Sequence, residues 1–390
     1  MPHAVPSRPP LLALLLSLVI PLSGQGPGNI KRLWEAVIEE ESSGIECKAA
    51  AISPRDDSVW LVIGRRAVGE MGGPQKLALR GLDSAGKPLP ETSLDFLTKE
   101  PSFHRPMNDI AGLAATGDGN LLVAWSLGEV VVLNATSRRP LRRKDLGPGR
   151  ADLMLTRALA LSDNGYLLLG RLGTRATAIR LNRELEVVWE KVPYPAEAGM
   201  FMGGVPLEND AFCLTGEVGH GRAASISLKV GRFSSNGELA RTVSLPGQLL
   251  SVAAAPGGGC AVVQGIRGAW GVEFWFRNYD RELKELSNLR LGSDVRAIWP
   301  FLLAPVPRTP GDYFIAGTER FQFLLFRVKA GASIAWTRSF QEQSGSAEEL
   351  IWNHFLLPAK QSIVIPFTAM VVRSNMQNQV VRVISVDSGD

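Results

Sequence analysis

Few side chains in this sequence have the type and spacing that catalysis or metal binding requires. Beyond the N-terminal segment the histidines are His104, His220 and His354, which stand far apart and show no zinc-binding spacing. Neither the Gly-x-Ser-x-Gly turn of hydrolases nor a phosphate-binding loop occurs. The sequence therefore predicts no catalytic residue, no metal site and no cofactor.

Carboxylates from separate segments are the remaining route to an enzyme, because two acids that converge can serve as general acid and base on a glycan. The candidates are Asp109, Asp152, Asp294 and Glu319, each close to a loop predicted on the same side of the fold. Most acids at such positions cap turns or face water. We therefore favour a non-enzyme, and a glycan lyase or hydrolase that uses these acids is the alternative.

Arginine is the side chain that recurs with the clearest pattern. Six of seven sequence repeats place it at the connection between their second and third predicted strands, and the second repeat has Gly128-Glu129 there instead. The candidate ligand-binding residues are Arg65, Arg66, Arg171, Arg175, His220, Arg222, Arg267, Trp270, Arg320 and Arg373. Because a guanidinium group matches carboxylate, sulfate or phosphate in a bidentate way, these residues predict an anion-binding face.

Two further groups of arginines have different interpretations. The densest positive run, residues 138–144, falls on a turn of the second repeat and is interpreted as a solvated hairpin. The alternative for that run is a surface for acidic polymers or anionic lipid. Arginines inside the third strands are predicted to have a structural role between repeats; these are Arg80, Arg180, Arg277, Arg327 and Arg382.

An internal repeat supplies the elements that would position these side chains. An apolar stretch, a polar or Gly-rich turn and a second apolar run recur seven times, at intervals of 44 to 62 residues. Each copy continues with a third apolar strand, a tight turn and a fourth strand, and the alternating pattern is typical of antiparallel hairpins. Four short strands per repeat predict an all-β, seven-bladed β-propeller with four-stranded antiparallel blades.

The two ends of the chain share the last repeat. Residues 387–389 match the turn at residues 83–86 of the first repeat, after which the seventh repeat lacks a fourth strand. That strand is found near the N-terminus, where residues 28–34 are similar to the fourth-strand endings that contain Trp189 and Trp336. The sequence thus predicts a ring that is closed by the N-terminal strand, with Trp34 equivalent to those two residues.

The repeat endings at residues 131–136 and 331–336 carry a resemblance to a known superfamily. They are similar to those of quinoprotein-like and WD40-like propellers, and the similarity spans nearly the whole chain after residue 24. The resemblance implies the fold and leaves the activity open, because these propellers have unrelated functions. The polar and metal-binding residues that quinone-dependent members need have no counterpart here, so no cofactor is carried over.

The N-terminal residues have the composition of an export signal. Arg8 precedes an apolar run at residues 11–20, which is too short to span a bilayer and ends in small residues near Gly24. Residues 1–24 are therefore predicted to be a signal peptide and residues 25–390 a single propeller domain, secreted or periplasmic, without a transmembrane segment. Loss of Arg8 changes the net charge from +4 to +3, which does not indicate a nucleic-acid partner.

Three cysteines remain in the exported chain, so at least one is a free thiol or forms an intermolecular bond. Cys47, Cys213 and Cys260 all lie in apolar segments, and the leading interpretation is small buried core residues. The alternative is a bridge between Cys213 and Cys260, on the view that both occupy one position in successive repeats. Asn134 begins an N-glycosylation triplet, which matters only in a eukaryotic secretory route.

These observations predict a secreted binding or scaffold propeller. Its partner is expected to be an acidic protein, peptide or glycan, held by the arginine-lined face and not by a nucleic acid-binding or membrane-spanning element.

Overall fold

The computed structural model describes twelve ranges of the chain, and everything below refers to them. They are residues 32–39, 43–67, 76–94, 109–150, 152–219, 226–268, 271–293, 298–319, 322–340, 350–352, 355–373 and 376–387. The predicted signal peptide, residues 1–24, lies outside these ranges. No helix in the described part of the chain is long and apolar enough to cross a membrane.

The strands pair into seven antiparallel sheets, each of which is one blade. Blade 7 takes its outer strand from β1, Arg32–Glu39. Blade 1 contains β2 (Ser43–Ile52), β3 (Val59–Ala67), β4 (Lys76–Leu82) and β5 (Thr92–Ser93). Blade 2 contains β6 (Ile110–Ala115), β7 (Asn120–Trp125), β8 (Glu129–Asn134) and β9 (Pro140–Asp145). Blade 3 contains β10 (Leu153–Ala160), β11 (Tyr166–Leu172), β12 (Arg175–Leu181) and β13 (Val187–Lys191).

The remaining blades follow the same order from the inner to the outer strand. Blade 4 contains β14 (Ala198–Pro206), β15 (Phe212–Gly219), β16 (Ile226–Phe233) and β17 (Leu239–Leu245). Blade 5 contains β18 (Gln248–Ala255), β19 (Gly259–Gly268), β20 (Gly271–Tyr279) and β21 (Glu285–Ser293). Blade 6 contains β22 (Ile298–Pro305), β23 (Tyr313–Glu319), β24 (Gln322–Val328) and β25 (Ile334–Phe340). Blade 7 contains β26 (Leu350–Trp352), β27 (Leu357–Pro358), β28 (Ser362–Arg373) and β29 (Met376–Asp387), and short 3-10 turns occupy Glu208–Asp210 and Pro256–Gly258.

Apolar side chains on both faces of each blade hold the ring together. The strands alternate, so one set of side chains faces the preceding blade and the other set faces the following blade. Each of the seven blade interfaces has its own buried apolar cluster, including one between blade 7 and blade 1. This confirms the predicted seven-bladed propeller.

The N-terminal strand closes the ring as predicted. β1 pairs with β29 in antiparallel register, with Ile38 opposite Val381, and so becomes the outer strand of blade 7. Its Trp34 reaches blade 1, where the indole Nε1 donates to the carbonyl of Ser84 at 2.9 Å. Gly86 adopts a φ of +80°, and a Cβ there would lie 2.5 Å from the Trp34 ring. Blade 1 thus accepts the tryptophan only because its turn carries glycine.

The predicted equivalence of three tryptophans is also confirmed. Trp34, Trp189 and Trp336 each follow a one-residue bulge in an outer strand. Trp189 repeats the contact made by Trp34, because its Nε1 donates to the carbonyl of Ser235 in the next blade at 3.1 Å. Trp34 and Trp189 therefore bind their outer strands to a turn of the following blade, whereas the indole Nε1 of Trp336 is buried without a hydrogen-bond partner among the described residues.

Bulges occur in the outer strands of blades 2 to 7, and the outer strand of blade 1 is only two residues long. The bulged residue turns away from the sheet, which explains several exposed apolar side chains on the rim. These are Leu33, Leu141, Val188 and Leu286. A bulge leaves its residue unpaired and increases the local twist.

A disulfide joins Cys213 of blade 4 to Cys260 of blade 5, so the bridge that the sequence left open is present and Cys47 is a buried free thiol. The sequence comparison places the two cysteines at the same position of successive repeats, and this is wrong. Val205 pairs with Cys213 and Ala254 with Cys260, and counting from the inner-strand bulge offsets the two cysteines by one residue. The offset is necessary, because identical positions in successive blades face the same way and never face each other.

Of the third-strand arginines predicted to have a structural role between repeats, Arg180 is the one whose described contacts confirm it. Arg180 reaches the next blade and donates to the carbonyl of Ser235, and Arg232 does the same to the carbonyl of Gly258. The other four predicted arginines pair with a carboxylate of their own blade, so their described contacts are structural but do not join repeats: Arg80 with Glu91, Arg277 with Glu285, Arg327 with Asp312 and Arg382 with Glu35. Arg180 also pairs with Asp163 of its own blade.

Candidate binding face and central channel

The connections between second and third strands share one end of every blade, which we call the front face. In blade 3 this connection runs from Leu172 to Arg175, and in blade 5 from Gly268 to Gly271. The front face is therefore built from hairpin turns and from the starts of the inner strands. The turns between first and second strands form the opposite, back face.

Two of the predicted site residues, Arg175 and Arg267, are exposed on front-face hairpins. Within the described part of the chain, neither guanidinium group has an ionic or hydrogen-bonding partner.

Two other predicted residues are engaged inside the protein. Arg65 forms a bidentate pair with Glu91, at 2.8 and 2.6 Å. Hydrogen bonds from Arg65, together with the charges of Arg65 and Arg80, hold the pKa of Glu91 below its ordinary value despite its partial burial. Arg171 donates to the carbonyl of Gly173 at 3.2 Å and to the sulfur of Met154. These two arginines contribute to the structure of their own hairpins.

The side chains of the remaining predicted site residues lie outside the described part of the structure. Arg66 and Arg373 have their backbones at the front-face ends of β3 and β28, and nothing is described of their side chains. His220, Arg222, Trp270 and Arg320 lie outside the described residues. Their part in the predicted binding face stays a prediction.

A positive side chain that sequence reasoning missed lies on the inner strand of blade 3. Arg157 follows the inner-strand bulge of blade 3 and pairs with Leu169, whose face packs against blade 4. The side chain has a large accessible surface, yet burial lowers the pKa of its guanidinium group. The inner strands of a propeller border its central channel, so an exposed side chain on β10 is accessible from that channel. No ionic partner of Arg157 is present among the described residues.

The inner-strand bulge is common to the first six blades. The bulged residues are Lys48, Ala111, Thr156, Met202, Leu250 and Phe301. Lys48 lies at this position in blade 1, where its Nζ pairs with Glu46 at 2.9 Å and with Asp109 of blade 2 at 3.2 Å. The bulge thus places side chains beside the channel and allows contacts across the blade interface.

Two of the four acids proposed for catalysis have described side chains. Asp109 is held by Lys48 and accepts a hydrogen bond from the amide of Ile110. Asp152 is exposed on the turn that precedes β10. Asp294 and the side chain of Glu319 lie outside the description, and no group of three or more metal-ligating side chains is present among the residues that are described.

Polar side chains also face each other between blades 4 and 5. Thr215 Oγ1 and both amide atoms of Gln264 are fully buried and have no hydrogen-bond partner among the described residues. Thr215 and Glu217 face blade 5, and Gln264 faces blade 4, because their registers place them on opposed sheet faces. Burial raises the pKa of Glu217. This interface therefore favours the neutral form of the carboxyl group.

Replacing Glu217 with glutamine is expected to stabilise the protein at neutral pH. A carboxyl whose folded-state pKa is raised contributes full stability below its unfolded pKa, about 4.3, and loses it as the pH rises through the folded value. The melting temperature of Glu217→Gln should exceed that of the parent at pH 7.5, and the difference should shrink towards pH 4. The matched control is Glu208→Gln, which removes an exposed charge at the back face of the same blade. An equal shift in both variants would contradict the burial argument.

Comparison with known proteins identifies the fold. No family model matches the chain, and no curated protein sequence matches it. Among solved structures, U3-55K is similar over 92% of this chain and 100% of its own, at 11% identity and a TM-score of 0.58. The Cps50 (Swd1) β-propeller domain of Myceliophteria thermophila is similar over the same shares, at 11% identity and a TM-score of 0.54.

The chain resembles WD40-like propellers in fold. At such low identity the likeness extends to the architecture alone. A WD40-like propeller is compatible with a binding or scaffold role without catalysis. The fold does not identify a ligand, so the function has to be argued from the side chains on its surfaces.

Proposed function

We propose that this WD40-like propeller is an exported binding or scaffold protein that recognises an acidic protein, peptide or glycan through its front face. The observation that supports the proposal is a contrast between two sets of arginines. Arginines inside the blades are matched by carboxylates, whereas Arg175 and Arg267 on the front face and Arg157 beside the channel have no such partner in the described part of the chain.

The positions of these three arginines are consistent with one shared region of positive electrostatic potential. Arg175 belongs to blade 3 and Arg267 to blade 5, and Arg157 belongs to the inner strand of blade 3, which borders the central channel of the propeller. Charges of one sign around a concave opening with low-dielectric walls raise the local concentration of oppositely charged ligands. An acidic segment that lies across the front face would meet Arg175 and Arg267. Arg157 lies four residues further along β10 from its front-face end and would add to the positive potential from deeper in the fold.

Export is part of the proposal and has two supports. The apolar run at residues 11–20 has the composition of a signal peptide. The disulfide between Cys213 and Cys260 is typical of an oxidising compartment.

The experiment is a binding measurement with two labelled peptides, one of alternating Glu and Ser and one of alternating Gln and Ser. Fluorescence polarisation should detect the acidic peptide at low salt, with affinity that falls as salt increases. The double variant Arg175→Gln/Arg267→Gln should bind about tenfold more weakly, equivalent to roughly 1.4 kcal/mol.

The matched control is Arg281→Gln/Arg308→Gln, which removes the same charge from back-face turns and should bind like the parent protein. Equal weakening in both double variants would indicate a non-specific charge effect. No binding of the acidic peptide at low salt would remove the front-face proposal.

A further inference from the structure

The back face carries a pocket between blades 1 and 2 that the front-face proposal does not use. Its volume is about 310 Å³, and its walls come from turns of both blades above the indole of Trp60. This volume lies at the lower end of the range for small-molecule sites. The pocket is therefore large enough for a ligand of a few functional groups.

Two arginines contribute positive charge to this pocket. Arg55 lies on the first turn of blade 1, and its Nη1 extends over blade 2 to within 3.3 Å of where a Cβ of Gly119 would lie. Arg138 lies on the outer turn of blade 2, and its Nε is buried without a hydrogen-bond acceptor among the described residues. A buried donor without an acceptor is unfavourable, so a turn of this guanidinium group towards an acceptor on a ligand is favourable.

The pocket also contains two carboxylates, and both accept hydrogen bonds from residues of their own turns. Asp56 accepts hydrogen bonds from the amide and hydroxyl of Ser58, at 3.1 and 2.8 Å. Burial raises the pKa of Asp56, and hydrogen bonds from Ser53 and Ser58 and the charge of Arg55 outweigh this, so the pKa lies below its ordinary value. Asp83 accepts from the amides of Ala85 and Lys87, both at 2.9 Å.

These hydrogen bonds use Oδ1 of each acid and leave both carboxylates ionised, so each can also accept from a hydroxyl of a ligand, and the pocket contains donors as well. The donors are the guanidinium groups of Arg55 and Arg138 and the hydroxyls of Ser84 and Thr136. A cluster of guanidinium and hydroxyl donors around a small cavity matches an oxyanion, either a carboxylate or a phosphate.

We propose that the pocket between blades 1 and 2 binds a small organic molecule that carries an oxyanion, with Arg55 and Arg138 as the recognition residues. This site is separate from the front face and does not depend on the function proposed for it. It also gives a role to Arg138, which the sequence interpretation assigned to a solvated hairpin.

The test uses three sugars of one shape and different charge: glucose 6-phosphate, glucuronate and glucose. Titration calorimetry at low salt should show binding of at least one charged sugar and none of glucose, and the one that binds more tightly identifies phosphate or carboxylate as the preferred group. The variants Arg55→Gln and Arg138→Gln should each weaken that binding at least tenfold. Arg55→Gln alters an exposed side chain, so the test remains valid if Arg138→Gln fails to fold.

Two controls separate this site from the front face. Arg139→Gln removes a neighbouring exposed charge and should leave sugar binding unchanged, as should the front-face variant Arg175→Gln/Arg267→Gln. No binding of either charged sugar, or equal binding by the parent and both pocket variants, would overturn the proposal. Loss of binding in the front-face variant alone would also overturn it.

Discussion

A variant that lacks residues 25–40 is expected to unfold or aggregate. The deletion removes β1, so blade 7 loses its outer strand and β29 becomes an unpaired edge. It also removes the contact from Trp34 to the turn of blade 1. The whole stability of a domain is about 5–15 kcal/mol, so the loss of a complete strand and its packing exceeds what the ring can tolerate. Thermal unfolding followed by circular dichroism, with light scattering for aggregation, measures the result.

A pair of single substitutions makes this prediction more specific. Ile38 is 4% exposed and faces the blade 7–blade 1 cluster, whereas its neighbour Val37 is 46% exposed. Ile38→Asp should therefore lower the melting temperature strongly, since it buries a charge without a partner. Val37→Asp, one residue away, should have little effect. Normal melting of the deletion variant, or equal effects of the two substitutions, would show that β1 does not close the ring.

Loss of the disulfide is expected to have the second largest effect. Cys213 and Cys260 are 47 residues apart, and closing a loop of this length stabilises a protein by about 4 kcal/mol in the chain-entropy model. The double variant Cys213→Ala/Cys260→Ala should therefore unfold at clearly lower denaturant concentration than the parent protein. Addition of a reductant to the parent should produce a similar decrease.

Cys47 supplies the control for this experiment. Burial is the main cause that raises the pKa of its thiol, and the charge of Glu46 adds to the effect. The native protein should thus show no thiol that reacts with a disulfide reagent, and the unfolded protein should show one. Cys47→Ala should leave the response to reductant unchanged. A reductant-insensitive midpoint in the parent would show that the two cysteines are not bridged.

The blades, their order and the closure of the ring could be predicted from the sequence because these depend on local patterns. Alternation with a period of two and glycine-containing turns identify hairpins without knowledge of the partner blade. The tryptophan at the end of a fourth strand was recognisable for the same reason. Its contact with the next blade was not, because that contact depends on how two blades pack.

Features that depend on register were predicted less well. The bulge that places Lys48 and Arg157 beside the channel exists only in the pairing of two strands, and a single strand gives no sign of it. The same bulge shifts the count of residues between repeats. This explains why Cys213 and Cys260 were placed at one position when they are offset by one.

The back-face pocket was missed for a related reason. Its walls come from turns that lie far apart in the chain, and the two arginines that line it belong to different blades. A count of charges along the sequence does not show which charged side chains have partners elsewhere in the fold. The sequence alone therefore predicts a solvated hairpin for residues 138–144, and the contact of Arg138 with the pocket depends on how blade 1 packs against blade 2.

The bulges on the outer strands affect edge-to-edge strand pairing between molecules in a concentrated solution. An incoming strand needs an uninterrupted row of amide and carbonyl groups to extend a sheet, and each outer strand of blades 2 to 7 breaks that row within the first few residues. Blade 1 offers only two residues. The bulges therefore shorten the regular edge that an incoming strand could pair with, and they make the rim a poorer template for fibre growth even though it exposes leucine and valine side chains.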